Sequence, residues 1–282
     1  MTVASAETAA HYRVVEPLSG AAPYIGGKRN LAARIVHEIE KVPHLCYAEP
    51  FVGMGGVFFR RPHAPPLEVV NDRSRDVANF FRVLQRHYQA FIDMMKWQLT
   101  TRSEFARLVA SNADTLTDLE RAARFYYLQK TGFGGKVAGR SFGVQTTQPG
   151  RFDITRLIPH LEEMHERLAG VVVENLAYDE FLSRYDRPTT LFYLDPPYYG
   201  SENDYGRGMF ERSEFEALAG LLKGLHGRFI MTVNDVKTMR ETFAGFASRR
   251  VDTTYTVAGG RRAKRYHELL VTGGGKPQSK AR

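Results

Sequence analysis

The segment Leu191-Phe-Tyr-Leu-Asp-Pro-Pro-Tyr-Tyr199 sets an acid, two prolines and two aromatics at the end of an apolar run. Pro196 and Pro197 fix φ and remove two backbone donors. What remains is a rigid strand exit with accepting carbonyls. Asp195 and the Pro196 carbonyl could together accept both hydrogens of an exocyclic amino group. Tyr198 could stack on a flat heterocycle. Those are the needs of chemistry on the amino group of a nucleobase. A Pro-rich turn with a helix-capping Asp has the same composition, so this segment alone leaves both readings open.

A second segment, Leu45-Cys-Tyr-Ala-Glu-Pro-Phe-Val-Gly-Met-Gly-Gly56, again runs from an apolar stretch into an acid, a turn and glycines. Gly53, Gly55 and Gly56 would let a ligand approach the backbone at a strand-to-helix turn. A plain tight turn would need the same glycines. The pattern is neither Gly-x-Gly-x-x-Gly nor a phosphate-binding Gly-Lys-Ser/Thr loop, which disfavours nicotinamide and ATP chemistry. Asp72 follows the next apolar run, where α/β folds commonly hold a ribose. Pro23-Tyr-Ile-Gly-Gly-Lys28 places an aromatic, two glycines and a cation just before a helix-like stretch.

The elements that must position these residues are legible from periodicity. Short apolar runs recur at 45–48, 67–70, 171–173, 191–194, 229–233 and 269–271. They are partly β-branched or aromatic and bounded by turn chemistry, the pattern of buried strands in a mostly parallel sheet. Helical patterns lie between several of them, at 28–41 and after a Ser213/Glu216 capping box, and the alternation predicts an α/β fold. Residues 77–170 break it. Val77, Phe80, Phe81, Leu84, Tyr88, Phe91, Ile92 and Met95 lie at helical spacing, and this aromatic stripe is expected to be core. Thr117 and Glu120 form a second capping box, with Gly132 as the stop. Residues 1–20 read as an irregular arm.

The chain of 282 residues is long enough for one large core with an inserted or appended small domain. Its 43% hydrophobic and 25% charged residues exclude collagen, coiled coil and wholesale disorder. Cys46 is the sole cysteine, which excludes an intrachain disulfide and a Cys-rich zinc site and suits a reducing cytosol. No apolar run approaches 18 residues, and the N-terminus lacks the pattern of a secretory signal. The net charge is +8. Residues 249–282 carry a net of +7 and residues 121–156 a net of +6. Two basic stretches on an otherwise acidic chain suggest a polyanionic partner, with nucleic acid foremost.

Taken together, Tyr24-Ile-Gly-Gly-Lys28, Glu49-Pro-Phe-Val-Gly-Met-Gly55, Asn71-Asp72 and Asp195-Pro-Pro-Tyr198, in that order, resemble the motifs of the Dam-like DNA adenine-N6 methyltransferases. Tyr127-Leu-Gln-Lys-Thr-Gly-Phe-Gly-Gly135 is similar to a further segment of that family. The likeness implies a Rossmann-like fold that binds S-adenosylmethionine and carries an inserted, mainly helical target-recognition domain. It implies a methyltransferase domain from 1–76 and 171–282, with the insertion at 77–170. It makes Tyr24, Lys28, Asp72, Asp195 and the loop of Glu49, Pro50, Phe51, Gly53 and Gly55 the expected cofactor contacts. Asp195, Pro196, Pro197 and Tyr198 are the expected catalytic group. Lys130, Lys136, Arg140 and Arg151 are expected to meet double-stranded DNA, with no metal and no membrane involved, in the cytoplasm. Departures from the family pattern are Tyr24 for its Trp, Pro23 for its Lys, and Gln129 and Gly134 for its Asn residues. These bear on the target sequence more than on the chemistry. Cytosine-N4 methylation uses nearly the same groups, and a catalytically silent DNA-binding module is the alternative of another class.

Overall fold

The computed structural model describes residues 11–28, 30–144, 149–200, 210–255 and 264–275. Its strands are β1 (Arg13–Val14), β2 (Cys46–Glu49), β3 (His63–Ala64), β4 (Leu67–Asn71), β5 (Val172–Glu174), β6 (Thr190–Leu194), β7 (Arg228–Asn234), β8 (Ala247–Tyr255) and β9 (Lys264–Gly274). Seven of them form one sheet in the order β5-β4-β2-β6-β7-β9-β8. The first five in that order run parallel, while β9 is antiparallel to both β7 and β8. All six apolar runs singled out in the sequence overlap strands of this sheet. β8, with Arg249, Arg250 and Asp252 along it, has no apolar run to announce it. The short pair β1-β3 gives the N-terminal arm a fixed seat at 13–14, where an irregular course was expected.

Period-two alternation puts each strand's side chains into two cores. Cys46 and Ala48 of β2, with Phe192 and Leu194 of β6, face one cluster; Tyr47, Leu191 and Tyr193 face the other. Burying each large side chain of this kind is worth roughly 1.5–3 kcal/mol, so a one-residue slip of register would exchange whole faces. The first cluster is covered by α7 (Tyr178–Tyr185), α8 (Glu214–Gly224) and α9 (Lys237–Thr242), through Phe181, Phe215, Leu218 and Met239. The second is covered by α1 (Ala32–Glu40), through Ile35, Val36 and Ile39.

Between the adjacent strands β4 and β5 the described residues form five α-helices. These are α2 (Arg75–Arg86), α3 (Tyr88–Met95), α4 (Arg102–Ala110), α5 (Asp118–Thr131) and α6 (Ile154–Arg167). Their aromatic stripe is core, as expected: Phe80 stacks on Tyr126 at 5.3 Å, with Phe91 edge-on. This core is continuous with the second face of the sheet. A buried ionic cluster ties α6 to the sheet. Glu68 on β4 accepts two bonds of 2.6 Å from Arg167 and one of 2.6 Å from Arg61.

The Thr117/Glu120 capping box forms, and α5 stops at Gly132. The Ser213/Glu216 box does not. Ser213 has helical dihedrals, φ −61 and ψ −26, so its hydroxyl is not turned back to the first turn. Glu214 instead accepts the Glu211 backbone N–H at 2.5 Å. The predicted helix at 28–41 begins only at Ala32. Lys28 sits in the turn before it, with its carbonyl accepting from the Leu31 and Ala32 backbones.

Candidate active site

The chain goes from β2 outward to β4 and β5, then crosses back to place β6 on the other side of β2. Ligands of open α/β sheets bind at such a reversal, outside the carboxyl ends of the strands. Glu49 ends β2, Asn71-Asp72 ends β4, and Asp195 follows β6, all on that edge. A cleft of about 550 Å³ opens there. Tyr24, Lys28, Glu49, Phe51, Gly53, Asp72, Lys130, Asp195 and Pro197 line it. So do Met54, Val57, Arg60 and Arg73. Nine of the sequence-derived candidates therefore meet in one place. Pro50, Gly55, Pro196, Tyr198, Lys136, Arg140 and Arg151 are not among the lining residues.

The glycine loop is shaped by contacts that a side chain would prevent. At Gly53, φ is +51 and a Cβ would stand 3.0 Å from the Tyr24 ring. At Gly55, φ is +71 and a Cβ would stand 2.3 Å from Phe59. Gly55 thus serves inward packing, and Gly53 faces the cleft. Asp72 holds the loop: its Oδ2 accepts the Gly53 N–H at 2.9 Å and its Oδ1 the Ser74 N–H at 2.8 Å. Asn71 is buried and donates to the Pro50 carbonyl at 2.9 Å. The backbone just before Tyr24 is tied to residue 135 by Gln129, which donates to the carbonyls of Pro23 and Gly135, each at 2.7 Å.

Asp195 is fixed by two donors on the same oxygen. Lys28 Nζ lies 2.6 Å from Oδ1, and Thr232 Oγ1 donates to it at 2.9 Å. Among the described residues nothing is bonded to Oδ2, and the carboxyl group lines the cleft. Lys28 is buried and also donates to the Gly26 carbonyl at 3.0 Å and the Tyr198 hydroxyl at 2.7 Å. Its ammonium stands 4.5 Å from the centre of the Tyr198 ring. Lys28 therefore reaches the Asp-Pro-Pro-Tyr segment as well as the cleft where a cofactor contact was expected. The turn is pinned further on by Asn234 of β7, which exchanges two 3.0 Å bonds with the backbone of Tyr199.

Burial pushes the Asp195 carboxyl up to about 6, against the opposing pull of Lys28. Burial likewise raises Asp72 to about 6 and Glu49 to about 8, although the Tyr47 hydroxyl donates to Glu49 at 2.8 Å. Three carboxyl groups held above their ordinary range around one cleft mark it as a candidate functional site.

The expected DNA contacts separate. Lys130 turns into the cleft, and burial lowers its pKa. Arg140 folds back toward the Phe125 ring and donates to Gln129 at 3.2 Å. Arg151 donates to the Gly132 carbonyl at 3.3 Å, and Lys136 is exposed. Arg261–Arg265, an alternative seat for DNA, and the basic tail lie largely outside the described residues, as does most of the N-terminal arm. Thr232, Asn234 and Glu268 had not been singled out from the sequence. The available signal was polar residues inside strand-like runs, and its meaning depends on which strands pair.

Among the described residues no cluster of His, Cys, Asp or Glu could hold a metal ion, and no helix is long and apolar enough to cross a membrane. The chain is 24% identical over 234 residues to the type II methyltransferase M.CviBI of Paramecium bursaria Chlorella virus NC1A, covering 82% of this chain and 88% of the other. It is 25% identical over 251 residues to the type II methyltransferase M1.LlaDCHI of Lactococcus lactis subsp. cremoris, covering 83% and 87%. It is 26% identical over 234 residues to the DNA N-6-adenine-methyltransferase of Escherichia phage P1, covering 78% of this chain and 30% of that longer one. The matching family model runs over residues 24–257, from the Tyr24 loop through Asp195 and past the strand that carries Thr232 and Asn234. With the cleft at the strand reversal, and Asp195 and Pro197 of the Asp-Pro-Pro-Tyr turn lining it, this match decides the matter: the chain belongs to the D12 class of N6 adenine-specific DNA methyltransferases.

Proposed function

We propose that this enzyme uses S-adenosylmethionine to methylate adenine in double-stranded DNA, after flipping the base out of the duplex. The observation that carries the reading is Asp195, anchored through Oδ1 with its carboxyl group on the cleft. The cleft fits the cofactor: its volume is that of a small-molecule site, Gly53 leaves the backbone bare beside the Tyr24 ring, and buried acids line it. Tyr24, Glu49, Phe51, Gly53 and Asp72 would hold the cofactor, which supplies an electrophilic methyl group when bound. Asp72 would reach its ribose hydroxyls.

The amino nitrogen of adenine is a poor nucleophile, because its lone pair is conjugated into the ring. Asp195 and the Pro196 carbonyl would accept its two hydrogens and draw it toward tetrahedral geometry. Asp195 would also offset the positive charge developing on that nitrogen. Flipping costs a few kcal/mol of pairing and stacking, and Tyr198 would recover about 1–3 kcal/mol by stacking on the base. Residues 77–170 would form the target-recognition part, with 1–76 and 171–282 as the methyltransferase part. Lys136, Arg140 and Arg151 would face DNA. A DNA substrate places the work at the nucleoid, in the cytoplasm, and the type II names of two relatives extend the reading to a modification enzyme of a restriction system.

The test is expression in a methylation-free host, with modified bases read in genomic DNA by single-molecule sequencing. N6-methyladenine at one short sequence is expected from the parent, and a 10²–10³-fold slower reaction from Asp195→Asn with cofactor affinity retained. Recovery of N4-methylcytosine alone would overturn the adenine assignment. No modified base, with cofactor still bound in calorimetry, would move the substrate to RNA or protein.

A further inference from the structure

A second buried acid stands close to the reacting group. Glu268 lies on β9, register-paired with Asn234 on β7 and Val251 on β8, and is 1% exposed. Its Oε2 stands 3.8 Å from Lys28 Nζ, on an ammonium that also meets Asp195 at 2.6 Å. Lys28 spends its hydrogen bonds on Gly26, Tyr198 and Asp195, so Glu268 acts on it through charge. One cation thus stands between two carboxylates.

This arrangement sets the charge of the site. Lys28 and Asp195 alone would be a neutral pair, with the ammonium drawing electron density from the oxygen that must receive a substrate amino group. A second carboxylate offsets part of the Lys28 charge where positive charge must develop. Glu268 and Arg34 of α1 line a small cleft together with Thr232, Leu31, Ile35, Val251 and Leu270. Facing Asp195 are Lys28 from the turn before α1, Thr232 from β7, Glu268 from β9 and Glu49 from β2, with Asp72 and Lys130 across the cleft.

We propose that Glu268 is a positioning residue for methyl transfer: as a buried anion it offsets Lys28, so that Lys28 can anchor Asp195 without neutralising the site. The inference rests on the methyl-transfer reading above. In the step it supports, the nitrogen–carbon bond forms as the sulfur–carbon bond breaks with its electron pair kept by sulfur. The surplus amine proton then leaves to Asp195 or to solvent.

The test compares Glu268→Gln and Glu268→Asp with the parent on one duplex. In Glu268→Gln, kcat should fall on the order of 10-fold to 10²-fold, below the loss for a group in direct contact. KM for DNA and cofactor affinity by calorimetry should stay within about twofold, a factor worth roughly 0.4 kcal/mol. The like charge of Glu268 raises the Asp195 pKa, so its removal should move the acidic limb of the kcat profile to lower pH. Glu268→Asp keeps the charge and should keep most of the rate. Equal losses in both variants, or a Gln variant with parental kcat and an unmoved limb, would sink the proposal. Should neither variant fold, carboxylate-labelled parent protein is titrated by NMR: Glu268 is expected ionised at pH 7, and a protonated Glu268 overturns the idea. A parent that does not methylate adenine would instead indict the underlying reading.

Discussion

Glu49 shows what a single buried carboxyl can report. Its folded-state pKa of about 8 stands above the ordinary 4.5, because burial outweighs the bond from Tyr47. The folded chain therefore holds a proton that the unfolded chain releases. The stabilising contribution of that proton is complete below pH 4.5 and is lost as the pH rises through 8. Glu49→Gln carries no such proton. Its melting temperature relative to the parent should climb from pH 4.5 to 8 and level off above, in calorimetric scans at matched ionic strength. A constant difference across that window would mean Glu49 is ionised in the folded cleft. The acids at the strand ends were legible in the sequence, since each follows an apolar run and opens a turn. Glu268 was not: in Glu268-Leu-Leu-Val271 an acid heads an apolar run with no turn behind it, and only the pairing with β7 brings it near Lys28.

At the scale of elements, one sequence signature has two outcomes. Thr117 and Ser213 each precede a Glu by three residues. Thr117 has extended dihedrals, φ −62 and ψ 159, and its hydroxyl accepts the Glu120 N–H at 3.3 Å. Ser213 is already helical, and the turn is closed by Glu214 reaching back to Glu211. Thr117→Ala should therefore cost about 1 kcal/mol in urea denaturation, whereas Ser213→Ala should stay within about 0.5 kcal/mol. Equal losses would place a working cap at both helices. Cap chemistry names the candidates, but the dihedral of the residue itself is set by what the preceding loop packs against.

Across the whole molecule, the basic stretch at 121–156 divides by geometry into separate jobs. Lys130 faces the cleft, Arg140 and Arg151 lean on the α5 end, and Lys136 is exposed. Changing Lys136, Arg140 and Arg151 together to Ala should lower DNA affinity and leave cofactor binding intact. Each phosphate that is no longer neutralised flattens the slope of log K against log salt by about 0.9, so the slope of the triple variant should be shallower by between about 0.9 and 2.7. Cognate and scrambled duplexes titrated at several salt concentrations measure it. A relaxed sequence preference would assign one of the three to a base edge. An unchanged slope would put the DNA elsewhere, with residues 261–265 next in line.

By itself the sequence determined six of the seven strands of the main sheet, the α/β class and the order of the four motifs, because apolar periodicity and turn chemistry are local properties of a chain. It also placed the acids and glycines that line the cleft. Which acid meets which cation was decided only in three dimensions. Lys28 precedes Asp195 by 167 positions, Thr232 follows it by 37, and Glu268 lies on an antiparallel strand whose partner no local pattern names. The reversal of strand order beside β2 brings these residues to one edge of the sheet. There, burial raises the pKa of the three acids that line the cleft, and Lys28 and Thr232 fix Asp195 among them.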